Sequence, residues 1–156
     1  MFRLKPSVML GVFVAALLCP GSAWGSGANF VLRGEGVELG EAKEIYVTDA
    51  DGKQAPLPPR YEIKLEQGRP FTLVAQAVVL PRGGRSTPYE PGAGAWLFDD
   101  EQLQLLPHDK KRYDKTMIAI RLKALKAGQT RIRFVGDVLG YYHRFDVLVN
   151  VAAPKK

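Results

Sequence analysis

Phe145-Asp146-Val147-Leu148-Val149-Asn150-Val151 places apolar Phe145, Val147, Val149 and Val151 at every second position. Successive side chains of an extended chain point to opposite sides, so a period of two marks a strand with one buried face. A helix would bring its apolar residues together at spacings of three and four instead.

The same alternation recurs on moving towards the N-terminus. Ile132 and Phe134 alternate with Arg131 and Arg133, after a turn at Ala127-Gly128. Met117, Ile118, Ile120 and Leu122 form another strand, with Arg121 and Lys123 facing out. Leu103, Leu105 and Leu106 give a short one, and Ala95-Trp96-Leu97-Phe98 another. Phe71 to Leu80 is long and almost wholly apolar, as a more buried strand should be. Tyr61, Ile63 and Leu65 alternate with Glu62, Lys64 and Glu66. Turn and loop signals separate these runs: Gly68, the Gly/Pro-rich stretch from Pro81 to Gly94, Asp99-Asp100, and a charged loop from His108 to Asp114. Val138 to Tyr142 is expected to be a loop or bend through Gly140. No dozen residues free of Gly and Pro carry helical spacing. The count is about seven strands between Tyr61 and Val151, at the spacing expected of an antiparallel sandwich. Two stacked sheets bury the apolar face that each would leave wet alone. Trp96 is suited to the space between them.

The residues before Tyr61 divide in two. Arg3 and Lys5 precede an apolar run from Val8 to Leu18, which Pro20, Gly21 and Ser22 break. At about eleven residues the run is too short for a bilayer span, which needs about 20. With the small residues that follow, it reads as a secretory signal peptide over residues 1–25, with cleavage sites after Gly25, before Ser26, or after Ala23, before Trp24. Leu18 before Cys19 does not suit lipid attachment. The single cysteine then leaves with the leader, and with it any disulfide or thiolate chemistry. Residues 26–59 form an N-terminal extension. It holds a short apolar piece at Asn29 to Leu32 and a second, Glu44 to Thr48, which ends in the turn residues Asp49 to Gly52. Whether these join the sandwich the pattern leaves open. Residues 60–152 are the sandwich and 153–156 a tail.

From Gly68 to Val151 the chain resembles immunoglobulin-like folds, bacterial modules among them. The resemblance is carried by Phe71-Thr72-Leu73-Val74, Ala95-Trp96-Leu97-Phe98, Lys123 to Phe134 with its Ala127-Gly128-Gln129-Thr130 step, and Phe145 to Val151. It implies an all-β, immunoglobulin-like antiparallel β-sandwich with a short N-terminal β extension. The strand order is also similar to that of chagasin-type inhibitors of cysteine peptidases, whose three loops enter the protease cleft. The matching segments here, Gly92 to Trp96, His108 to Thr116 and Gly136 to His143, lack the motifs of those loops. No inhibitory residue is carried over, and a chagasin-like inhibitor stands as the alternative function.

Catalytic chemistry finds little support. Ser86 has no Gly-x-Ser-x-Gly elbow around it, and a triad needs nucleophile, base and orienter within hydrogen-bond reach. His108 and His143 show no metal-ligand spacing. Asp49-x-Asp51-Gly52 is half a calcium loop without the distal glutamate. Asp99-Asp100-Glu101 are neighbours in a corner, whereas glycosidase carboxyls face each other across a cleft. No catalytic residue, metal ligand or cofactor is expected.

Binding is better supported. Tyr141, Tyr142 and Arg144 precede the last strand, while Tyr89, Arg82 and Arg85 lie in the long Gly/Pro loop. Tyr and Arg are enriched at binding hot spots. The formal charge of +6, of which Arg3 and Lys5 supply two, is too dispersed for nucleic acid. The expectation is a non-enzymatic binding or assembly module, periplasmic or secreted, with no membrane span after cleavage. Its partner would be an envelope or extracellular protein, or an anionic glycan, met through these loops.

Overall fold

A computed structural model describes residues 27–44, 46–48, 50–80 and 84–154. The expected signal peptide, residues 1–25, lies outside them, as do Asp49 and Arg82. Among the described residues eleven strands follow in order: β1 (Gly27–Glu35), β2 (Tyr46–Thr48), β3 (Gln54–Pro56), β4 (Arg60–Glu66), β5 (Pro70–Leu80), β6 (Thr87–Pro88), β7 (Ala93–Leu97), β8 (Leu103–Leu106), β9 (Met117–Ala124), β10 (Gly128–Val138) and β11 (Tyr141–Ala152). A single 3-10 turn, Lys110–Arg112, interrupts them, with Asp109 capping it.

One sheet has the order β1-β5-β9-β8, with β6 beside the end of β5, and the other has β4-β11-β10-β7. β2 and β3 form a small separate hairpin. Taking β1, β5, β7, β8, β9, β10 and β11 as strands A to G gives ABED in one sheet and CFG in the other. That is the immunoglobulin arrangement. β4 joins the second sheet alongside β11, and theirs is a parallel pairing, from Asp146 opposite Arg60 to Ala152 opposite Glu66. The other pairings within the two sheets are antiparallel.

Alternation decides the two faces. On β11, Phe145, Val147, Val149 and Val151 point inward, and on β10 Ile132, Phe134 and Val138 join them. Opposite lie Phe30 and Leu32 of β1, Phe71, Leu73, Ala75 and Ala77 of β5, and Ile120, Leu122 and Ala124 of β9. Phe134 is the hub: its ring lies 4.8 Å from Phe30 edge-on, 4.8 Å from Trp96, and 4.8 Å stacked on Phe145. The Trp96 indole donates to the Ile118 carbonyl at 3.1 Å, tying the two sheets together. Its one polar atom is thus satisfied inside the sandwich, as a buried indole requires.

Towards the β10–β11 turn the space between the sheets is already filled by the side chains of Phe30, Ile118 and Phe134. A Cβ on Gly94 would sit 2.1 Å from Ile118 Cδ1, and one on Gly136 would sit 2.7 Å from the rings of both Phe30 and Phe134. Space rather than backbone favours glycine at both places, most firmly at Gly136 between two rings, since neither has a positive φ.

Three details go beyond the sequence reading. β1 is a full member of the first sheet, paired with β5 from Gly27–Leu80 to Glu35–Thr72. Only Phe30 and Leu32 carry its apolar signal, because Gly34 takes the next inward place. Val138 to Tyr142 is not an open loop. The strands run on to a two-residue turn at Leu139 and Gly140, with φ of 55° and 78°. Positive φ at both centres is what a type I′ hairpin needs to match strand twist. Last, the charged loop from His108 to Asp114 is fastened across the outside of the first sheet. Tyr113 donates to Glu35 at 2.9 Å, and Arg112 pairs with the same carboxylate at 3.2 Å. Thr72, Val74 and Val78 are buried although they point away from the core.

Candidate functional site

The chain direction in β10 and β7 decides where the loops gather. β7 begins at Ala93 opposite Asp137, next to the β10–β11 turn, and Gly92 donates to the Asp137 carbonyl at 3.0 Å. β5 ends at Leu80 on the same side of the molecule, where β6 pairs with Val78 and Val79. The β5–β7 connection and the β10–β11 turn therefore share one end of the sandwich. The Tyr89 amide donates to the Ala77 carbonyl at 2.9 Å, and Glu90 beside it pairs with Lys115 at 2.8 Å.

This end carries an unusual amount of exposed apolar surface. Tyr142 is 89% exposed, Tyr141 61%, Leu139 51% and Tyr89 42%. Leu139 holds a left-handed backbone conformation that costs a non-glycine residue about 1–2 kcal/mol. A leucine both strained and half bare at a hairpin tip adds nothing obvious to folding. Sequence reading did not single it out, because no Asn-Gly or Asp-Gly pair announces the turn.

Below the tip stands His143, opposite Gly136 and 5.9 Å from the Phe30 ring. Its Nε2 is buried without a hydrogen-bond partner. Burial holds the imidazole below its ordinary pKa, against a smaller opposing pull from Asp137. The structure puts His143 half-buried near the start of β11. His108 is at the other end of the molecule, beside Gly36, Pro70 and Arg121. Among the described residues no three His, Cys, Asp or Glu side chains gather to hold a metal, and no helix is long and apolar enough to cross a membrane.

Of the remaining binding candidates, Arg85 is exposed in the β5–β7 connection and Arg82 lies outside the described residues. Arg144 is not at the tip. It points to the outer face of the β4-β11-β10-β7 sheet, towards Asp146, a carboxylate only 7% exposed. Arg133 Nε donates to Asp146 Oδ1 at 2.9 Å, while Arg131 and Arg144 approach Oδ2 at 3.9 Å. The bond to Asp146 raises the Arg133 pKa above its ordinary value. Arg60, in register with Asp146 on β4, adds a fourth guanidinium, and its Nε is buried without a partner. The alternation of Arg131 and Arg133 was legible. That Asp146 lies among four arginines follows only from the hairpin register and the parallel β4 pairing.

Two of the three segments set against the chagasin-type loops are strand in this chain. Gly92 to Trp96 leads into and forms β7, and Gly136 to His143 is the tight hairpin. No family model matches the chain, and no curated protein matches it. Solved structures give distant likenesses. A chimeric titin Z1Z2 functionalized with an exogenous KLER peptide from decorin has a TM-score of 0.40 at 9% identity, covering 73% of this chain and 99% of that one. A complex of titin M10 with an obscurin-like 1 Ig domain has a TM-score of 0.38 at 14% identity, covering 74% and 100%. The immunoglobulin-like arrangement accordingly rests on the strand order described above.

Proposed function

We propose that this chain is an exported, non-enzymatic binding or assembly module that grips a protein partner in the bacterial envelope through its tyrosine-bearing end. The observation that carries the reading is the cluster of Tyr89, Leu139, Tyr141 and Tyr142, exposed on two neighbouring connections. Rigid tyrosines supply large amphipathic contact area at low entropic cost, and Tyr141 and Tyr142 sit here on a tight hairpin rather than a floppy loop. The leader-like run from Val8 to Leu18 supports export.

The test is an affinity capture from an envelope extract of the source cells, with mass spectrometry of what stays bound, run beside a Tyr141→Ala/Tyr142→Ala variant. The expected result is one dominant partner, bound at least about tenfold more weakly by the variant. The variant's thermal midpoint should stay put, because side chains this exposed contribute within about 0.5 kcal/mol to folding. A partner held equally well by the variant would refute the assignment to this end.

A further inference from the structure

The outer face of the β4-β11-β10-β7 sheet, remote from the tyrosine tip, bears its own signature. Arg60, Arg131, Arg133 and Arg144 lie on it around Asp146, and Glu62 and Asp137 are further carboxylates of the same face. One carboxylate offers about four lone-pair sites, and each guanidinium has five donors. Only Arg133 makes a close bond. Arg131 and Arg144, with side chains 50% and 45% exposed, stand off at 3.9 Å and keep most of their donors free. Asp146 acts as a peg that fans the arginines flat across the sheet. Leu148, Val135 and the exposed Leu97 fill the spaces between them, giving an apolar floor.

That face ends at an open edge. β4, on the far side, is covered: Lys43 exchanges both backbone bonds with Arg60, and Gly40 donates to Glu62. β7 closes the other side of the sheet, and among the described residues nothing pairs with its outer edge. Its residues Ala93-Gly94-Ala95-Trp96-Leu97 include no charge and no proline. Sheet edges normally carry such features to prevent pairing with other chains.

We propose that this edge and face together receive an extended acidic segment of a partner protein, added as a strand beside β7. Such a strand would lie about 10 Å from β10, two strand spacings away. An arginine and a glutamate reaching towards each other cover that gap. Leu97 pairs with Arg133, so the added strand's outward side chains fall in line with the guanidinium row. Carboxylates at alternate positions then meet Arg133 and Arg131 of β10, Arg144 of β11 lies one spacing further and adds to the positive field, and the backbone gains ladder bonds along the five residues of β7. The charge complementarity selects acid, and the open edge selects a peptide over a polysaccharide. This site stands whether or not the tyrosine end has the role given above.

The test uses the purified chain and three probes: a fluorescent ten-residue peptide alternating Glu and Val, its Lys/Val counterpart, and polygalacturonate. The Glu/Val peptide should bind, the Lys/Val peptide should not, and affinity should fall severalfold between about 50 and about 500 mM salt. Backbone amides of β7 should gain hydrogen-exchange protection on binding. Arg131→Gln should weaken binding about three- to tenfold and Arg144→Gln, one strand further off, by less, and both leave the Arg133–Asp146 bond in place. Arg133→Gln should weaken it further, and its circular dichroism reports whether the fold survives. Equal binding of the Glu and Lys peptides would overturn the proposal, as would unchanged affinity in both Gln variants. Binding of polygalacturonate as tight as the peptide, without protection of β7, would also overturn it and make the face a glycan surface.

Discussion

Gly136→Ala tests how the sandwich is closed beneath its candidate binding end. The added methyl would lie 2.7 Å from ring atoms of Phe30 on one sheet and of Phe134 on its own strand. Carbon atoms prefer about 3.5–4.0 Å, so two buried rings must each retreat by nearly an ångström. Neither has room, since Phe134 is already stacked on Phe145 and edged by Trp96. Overpacking of this kind costs about 1–3 kcal/mol, and contact with two sheets at once places this case near the top, about 2–3 kcal/mol. In a domain of this size that lowers Tm by roughly 6–12 °C, read by circular dichroism or calorimetry. The decisive experiment adds Phe30→Leu, which withdraws one of the two rings. Phe30→Leu alone loses buried contacts and destabilises. Combined with Gly136→Ala it should recover about 1 kcal/mol relative to the sum of the single changes. Strict additivity in that double-mutant cycle would refute the steric account. A Gly140→Asn variant is the control, because a Cβ there meets nothing within 4 Å and asparagine tolerates its positive φ.

Two further outcomes are expected. Burial lowers the His143 pKa below the unfolded value of 6.5, so the unfolded chain binds the extra proton more readily. The stability this represents is complete above pH 6.5 and declines as pH falls towards the folded pKa; urea midpoints should show that decline, and His143→Gln should flatten it. Asp146→Asn leaves the surrounding arginines without their shared counter-charge and should cost about 1–2 kcal/mol, discounted because those side chains are a third to a half exposed. Much of that loss should return in high salt if mutual repulsion causes it, whereas a salt-independent loss would point to the hydrogen bond instead.

The strands from Tyr61 to Val151 were legible because each carries its own period-two pattern, and that pattern records burial directly. β1 was not, since two of its inward places hold Ala28 and Gly34, which give a pattern no apolar weight. The hairpin tip escaped because Leu139 occupies a position where asparagine or glycine is usual. Thr72 could not be recognised as doubly covered, because the strap beside it is a polar segment held by Tyr113 and Arg112. The arginine cluster was half legible: parity places Arg131, Arg133, Arg144 and Asp146 on one face. Only the pairing of two strands with a third, far back in sequence, brings Arg60 to them.

The placing of β11 governs when this fold can exist at all. It lies between β10, its immediate neighbour in sequence, and β4, whose Arg60 partners Asp146. The β10–β11 hairpin closes a two-residue loop and can form within microseconds. The β4–β11 pairing must close a loop spanning most of the domain before any of its bonds form, so it is the slow step. A chain emerging from the ribosome with β11 still unmade has a second sheet with a gap in its middle and a core open along its length. Until β11 pairs on both sides, the second sheet lacks the strand that joins β4 to β10, and the core has only one complete wall.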